Sequence, residues 1–165
     1  LIDELSAMHG VAYLRATRAA TPVLYSATEK FPIGGSKTLR QGSSDVCVVV
    51  AAGITLHESL KAYDLLRAEG IAITVVDAYS VKPIDAEGLR KAAAAAGQRI
   101  LVVEDHWREG GLGDAVLEVF SESGNVRIRK IAVTELPHSG KPEELLDLYG
   151  LSARRIAEAV RAFVK

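Results

Sequence analysis

The carboxyl two-thirds of this chain repeats one unit: a short β-branched apolar run, a polar or glycine-rich break, then residues at helical spacing. The clearest copy runs from Ile100 to Val116. Ile100-Leu-Val-Val103 turns acidic at Glu104 and Asp105, passes through Gly110, Gly111 and Gly113, and enters a helical pattern. Strand-then-helix units in series demand a sheet whose neighbouring strands run parallel, because each helix must cross back over the sheet to start the next strand. The expected fold is therefore a three-layer α/β/α domain with an about five-stranded, mostly parallel sheet, and its crossovers should be right-handed.

The other units follow the same logic. Val46-Cys-Val-Val-Val50 and Ile71 to Asp77 read as strands covered on both faces, and Val126 to Val133 as a further strand. Thr55-Leu-His-Glu58 has the capping-box form, and Leu56, Leu60, Tyr63 and Leu66 trace a buried stripe that ends at Gly70. Asp85 and Ser152 are cap residues, each flanked by a staple pair, Ile84 with Leu89 and Leu151 with Ile156. Pro142 opens another helix with Glu143 and Glu144 in its first turn. Ser36 to Arg40 and Asp45 to Ala51 flank the turn-rich Gln41-Gly-Ser-Ser44, so a hairpin carrying one antiparallel edge strand is expected to open the domain.

The first 26 residues hold one helix end, Leu1 to His9, stopped by Gly10, and one strand, Val11 to Thr17. That is too little to close a core, so these residues are expected to need a partner. Leu1 reads as a cut inside a longer chain. Residues 1–30 are expected to be the end of a preceding domain with its linker, and residues 31–165 the domain proper.

With 25% charged residues and a net charge of -1, the chain has no basic excess suited to nucleic acid. No apolar run approaches the ~20 residues that span a bilayer, and a cytoplasmic protein is expected. Cys47 is the only cysteine. It sits in an apolar run and reads as a small core residue, leaving no thiolate cluster for a metal.

Several residues allow both a chemical and a structural role. The amides of Gly110, Gly111 and Gly113 could form a phosphate nest, but the spacing departs from G-x-G-x-x-G and nearby Glu104, Asp105 and Glu109 would repel an anion. A tight turn is the favoured reading. Glu104, Asp105 and His106 lie at the carboxyl end of a parallel strand, where open α/β sheets usually bind ligands. Adjacent residues of an extended chain point to opposite sides, so these three cannot all converge, and an interface or loop-anchoring role is favoured. His57 is expected on a solvated helix turn, and His138 on a loop. Arg15-Ala-Thr-Arg18 places two Arg forks at a strand end, suited to phosphate or carboxylate recognition or simply solvated.

Four ordered motifs resemble a known family. Gly53-Ile-Thr-Leu-His-Glu58, Asp77 with Lys82-Pro-Ile-Asp85, Val103-Glu-Asp-His106 with Glu109-Gly-Gly-Leu-Gly113, and Ser139-Gly-Lys-Pro-Glu-Glu-Leu145 are similar, in order and spacing, to the carboxyl-terminal domain of transketolase, particularly the form of animals and some bacteria. Gly10 to Arg18 and Phe31-Pro-Ile-Gly34 resemble the end of the preceding pyrimidine-binding domain and its linker.

The resemblance implies a fragment of an enzyme that moves a two-carbon ketol unit between sugar phosphates in the pentose phosphate pathway. Thiamine diphosphate would serve as the electron sink, with a divalent metal, Mg or Ca, in the parent enzyme. Neither is expected to bind this chain, because the family's Gly-Asp-Gly motif has no counterpart: Gly113-Asp114 continues to Ala115. The chain alone is expected to lack catalytic residues and activity.

By the same resemblance Arg18 would contact the substrate's phosphate, although Ala19-Ala-Thr21 stands where the family form continues Pro-Glu-Asn. Expected partners are upstream domains or a companion subunit, a homodimer mate, and sugar phosphates. Alternative readings are the tail of a split transketolase, a 2-oxo-acid dehydrogenase beta subunit, deoxyxylulose phosphate synthase, or a stand-alone nucleotide- or protein-binding module.

Overall fold

The computed structural model describes residues 1–17 and 20–165. Among these the chain forms α1 (Ile2–Ser6), β1 (Lys37–Arg40), β2 (Val48–Ala51), α2 (Ile54–Ala68), β3 (Thr74–Asp77), α3 (Ala86–Ala95), β4 (Arg99–Trp107), α4 (Leu112–Val119), β5 (Arg127–Val133), α5 (Pro142–Leu148) and α6 (Ala153–Val164). The sheet order is β1-β3-β2-β4-β5. β1 runs antiparallel to β3, and every other pair is parallel.

Period-two alternation sorts the strands onto two faces. Val49, Ala51, Val75, Leu101 and Val103 pack with Leu56 and Leu66 of α2 and with Ile156, Val160 and Phe163 of α6. Val48, Val50, Val76, Ile100 and Val102 pack with Leu89 and Ala93 of α3 and with Val116 of α4. The result is the expected three layers. β2 lies between β3 and β4 and all four of its residues are buried, so its Val-Val-Val-Ala sequence carries no polar face. Cys47 is fully buried, and burial pushes its thiol up to about 12, as befits a core residue.

Three expectations are corrected. No hairpin joins β1 to β2: β1 pairs with β3, in the register Lys37↔Asp77 and Thr38↔Val76. Both edges of β2 are taken by parallel neighbours, and β1 lies on the outer side of β3. The Gln41 to Ser44 turn is secured instead by Asp45, whose Oδ2 accepts from the Gly42 amide at 2.8 Å and from the Thr74 hydroxyl at 2.6 Å.

Val11 to Thr17, expected as a strand, is extended and exposed but joins no ladder among the described residues. Its β-branched and aromatic residues favour extended backbone, whereas strand pairing requires a neighbouring edge.

The capping box at Thr55 does not form, because Gly53 is the cap residue of α2, at φ 59° and with no side-chain cap. Thr55 lies inside the helix, and its hydroxyl reaches the carbonyl oxygens of Ala52 and Val103, at 2.9 and 2.8 Å. It thereby ties the α2 start to β4. Glu58 serves a different helix: its Oε2 accepts from the Ala153 amide at 2.8 Å, at the start of α6. The caps expected at Asp85 and Ser152 are present.

Glu58 is buried at 8% exposure, so the carboxylate that joins α2 to α6 is a larger contributor than its exposed partner Lys61. Glu58→Ala is expected to lower unfolding free energy by about 1–2 kcal/mol, in the range for loss of a helix cap. Lys61→Ala should change it by less than about 0.5 kcal/mol. Urea denaturation of the two variants checks the difference.

Candidate functional site

The carboxyl ends of β2, β3 and β4 open on the same edge of the sheet, and the polar residues there divide into two groups. The first is built on an irregularity in β4. Its ladder with β5 is regular to Val103↔Ile131 and resumes at Trp107↔Val133, with a register shift between. A break of this kind re-aims the side chains within it. Glu104 points inward at 3% exposure, Asp105 is half-exposed and His106 exposed.

Glu104 lies at the amino end of α4. Its Oε1 accepts from the Gly113 amide at 3.2 Å, while Oε2 is buried with no hydrogen-bond partner. The glycines are required because the carboxylate occupies the space that side chains would need. A Cβ on Gly111 would collide with Glu104 Oε2, and one on Gly113 would lie 2.6 Å from Glu104 Oε1 and 2.6 Å from Lys130 Cδ. Burial raises the Glu104 carboxyl above its ordinary range, opposed by the Gly113 amide, Lys130 and His106. The chain's own carboxylate thus stands where a phosphate nest would hold its anion, and the tight-turn reading describes Gly110 to Gly113.

The rest of the turn is secured by charge. Asp114 Oδ2 accepts from the Gly110 amide at 2.6 Å, and Lys130 from β5 donates to Asp114 Oδ1 and to the Arg108 carbonyl. Asp105 turns the other way, toward the amino-terminal segment. Arg15 Nη1 donates to the Asp105 carbonyl at 2.6 Å and Nη2 to its Oδ2 at 3.3 Å. His106 Nδ1 lies 2.7 Å from the Trp107 carbonyl. The three adjacent residues therefore do not all converge: Glu104 and His106 both face Gly111, and Asp105 points away. Arg18 lies outside the described residues.

The second group surrounds Asp77 at the end of β3. This carboxylate, 5% exposed, accepts from the Tyr25 hydroxyl at 2.5 Å. Burial pushes Asp77 up, while Tyr25 and Lys37 pull it down; burial and Asp77 together push the Tyr25 phenol well above its usual range. Tyr25, Phe31 and Tyr79 stack edge to face, with centroids 4.9 and 5.0 Å apart, and the Lys37 ammonium sits 4.9 Å from the Phe31 centroid.

Between the anchored segment and the start of α2 lies a groove of about 320 Å³, lined in part by Arg15, Tyr25, Gly53, His57, Asp77 and Tyr79. His57 is half-buried in this groove, not solvated as the sequence suggested. Burial and Lys61 lower its pKa, opposed by Glu58. The Tyr25–Asp77 bond was not evident in the sequence; its one trace is an aspartate ending an apolar run. Among the described residues no three His, Cys, Asp or Glu side chains are grouped to hold a metal ion.

Residues 34–156 match the family "Transketolase, C-terminal domain". Transketolase-like protein 2 of Mus musculus is 47% identical over 152 residues, covering 92% of this chain and 24% of that protein. Transketolase of Homo sapiens is 38% identical over 155 residues, covering 94% and 25%. The chain therefore spans about a quarter of the curated relatives it matches.

A solved structure described as "Split gene transketolase, inactive beta4 tetramer" aligns at a TM-score of 0.82 with 37% identity, covering 89% of this chain and 48% of that one. A Pichia stipitis transketolase in complex with sedoheptulose 7-phosphate aligns at 0.60 with 21% identity, covering 79% and 18%, a likeness of fold alone.

The Glu104 geometry sets a direction for pH dependence. A carboxyl raised above its ordinary 4.5 in the folded state holds its proton more tightly there than in the unfolded chain. Its ionisation therefore destabilises the fold as pH rises from about 4.5 through the folded value. Glu104→Gln should flatten that part of the stability-against-pH curve in urea titrations. Gly111→Ala and Gly113→Ala should each lower stability by about 1–3 kcal/mol, because the buried carboxylate must shift.

Proposed function

The chain belongs to the transketolase family through its carboxyl-terminal domain, and from that premise we propose that it is the carboxyl-terminal part of an enzyme transferring a two-carbon ketol unit between sugar phosphates in the pentose phosphate pathway. The observation that carries this reading is the coverage. Relatives named transketolase or transketolase-like align along 92–94% of this chain, while the chain accounts for about a quarter of each. On this reading residues 1–30 close a preceding pyrimidine-binding domain and its linker, residues 31–165 form the carboxyl-terminal domain, and Arg18 receives the substrate's phosphate.

Thiamine diphosphate supplies the electron sink for the ketol carbanion when bound to the complete enzyme. The described residues do not fit that cofactor. The amide turn that could take a diphosphate is filled by Glu104, and the acidic side chains nearby are engaged with Arg15 and Lys130. Cofactor and divalent metal, Mg or Ca, are therefore assigned to other parts of the enzyme, and this chain to a structural role in a cytoplasmic homodimer. No helix among the described residues is long and apolar enough to cross a membrane. Glu104, Gly110, Gly111 and Gly113 serve as loop anchors, a role supported by the carboxylate–amide contact.

A second reading, that the chain is part of a split transketolase subunit working with a companion polypeptide, is favoured by its likeness to the split-gene structure at 37% identity. One experiment covers both readings. The purified chain should neither bind thiamine diphosphate by calorimetry nor turn over xylulose 5-phosphate with ribose 5-phosphate. Turnover should appear on assembly with the polypeptide that carries the cofactor-binding domains, and turnover by the chain alone would refute the proposal.

A further inference from the structure

We propose that the outer edge of β5 is a docking site for an extended acidic segment of another polypeptide, which joins the five-stranded sheet as one more strand. The two edges of the sheet differ in a way that points there. β1 carries the features that discourage pairing at an edge. It is four residues long, its register with β3 shifts between Thr38 and Arg40, and its Lys37 is held by Glu29 and by the Phe31 ring. β5 is seven residues long and stays in register with β4 from Arg99↔Arg127 to Val103↔Ile131. Its outer side is defended by charge alone.

The backbone shows what that side offers. The Arg127 amide donates to the Gln98 carbonyl and so faces β4. Successive residues of a strand turn their N–H and C=O groups to opposite neighbours, so those of Ile128, Lys130 and Ala132 face outward. β5 is the last strand of the sheet, and these groups find no backbone partner among the described residues. A strand arriving about 4.8 Å away completes their ladder.

The side chains select the charge of the occupant. Arg127 and Arg129 are exposed and, two residues apart, lie on one face of the strand, where the Arg127 guanidinium sits 5.3 Å from the Phe163 ring of α6. Neither forms an ion pair among the described residues, whereas Arg154 and Arg161 of α6 are taken by Asp147 and Glu69. Ile128 faces the other way and packs with the cluster beneath α3 and α4. The fitting segment therefore has acidic residues at alternate positions with an apolar residue between them. Directly opposed side chains across such a pair have Cβ atoms about 4.5–5.5 Å apart, where opposite charges attract and like charges repel. A second copy of this chain would bring the same cations to one seam. The backbone ladder supplies affinity, and the arginines supply selectivity and a faster encounter.

The test needs the full chain alone and is independent of the enzymatic reading. The probe is an end-blocked heptapeptide of alternating Glu and Val, followed by amide hydrogen exchange and by fluorescence titration. At about ten times its dissociation constant it should slow exchange about tenfold at Ile128, Lys130 and Ala132. The amides of Arg127, Arg129 and Ile131, already turned to β4, should not change. A peptide of alternating Glu and Pro keeps the charge but lacks the donors, and one of alternating Lys and Val reverses the charge; neither should protect the three outward amides. Reversing both arginines, Arg127→Glu with Arg129→Glu, should weaken binding of the Glu-Val peptide about tenfold. Arg129→Glu alone, at an exposed position with no ion pair to lose, should weaken it about threefold.

No binding of the Glu-Val peptide at about 1 mM overturns the proposal. So does binding that leaves the outward amides unprotected or that the Glu-Pro peptide matches, since either outcome reports attraction between charges without strand addition. Protection that survives both charge reversals refutes the role of the arginines and with it the acidic occupant. Protection of the same three amides that grows with protein concentration in the absence of peptide makes a second copy the occupant and likewise overturns it.

Discussion

Glu104 carries a carboxylate out of water at the end of β4, and much of the sheet's carboxyl edge is arranged around that burial. An ionised group in such a place requires donors and a nearby positive charge. It finds the Gly113 amide at the amino end of α4, where helix amides and dipole favour an anion, and the field of Lys130 from β5. The approach of the carboxylate accounts for glycine at positions 111 and 113. Because Glu104 turns inward, its neighbour Asp105 must turn outward, which is what makes it available to Arg15. One buried carboxyl group thus organises the β4–α4 turn on one side and the attachment of the amino-terminal segment on the other.

Elsewhere side chains also stabilise elements distant in sequence. Glu58 of α2 caps α6, Thr55 ties α2 to β4, and Asp45 joins the loop after β1 to the start of β3. These cross-links matter because β2 and β3 are only four residues long. Strands that short bury little surface on their own, and their burial depends on helices held firmly over both faces. The two hydrophobic clusters, with α2 and α6 on one face and α3 and α4 on the other, meet that requirement.

The amino-terminal segment is different in kind. It contributes little to either cluster and is held by an arginine, a tyrosine–aspartate bond and an edge-to-face aromatic stack capped by Lys37. Val11, Tyr13 and Val23 expose nearly their whole surfaces. Such an attachment gives direction at modest energetic gain.

The strands of the sheet, its covering helices, the caps at Asp85 and Ser152, and the three-layer architecture were legible in the sequence, because each rests on local periodicity or on a residue type with one favoured backbone role, whereas the strand expected at Val11 to Thr17 was not found. The opposite orientations of Glu104 and Asp105 were legible too, from the two-residue repeat of an extended chain. The choice of β3 as the partner of β1 was not, since a turn-rich tetrad looks the same whether the chain doubles back or crosses to a further edge. Nor was the work of Glu58, which sits at capping-box spacing from Thr55 yet caps a helix beginning 95 residues away. The Tyr25–Asp77 bond, the half-buried His57 and the Arg15–Asp105 contact were likewise settled only by tertiary structure. Periodicity determines which way a side chain faces within its own element; which distant donor or acceptor it meets is decided only when the layers pack.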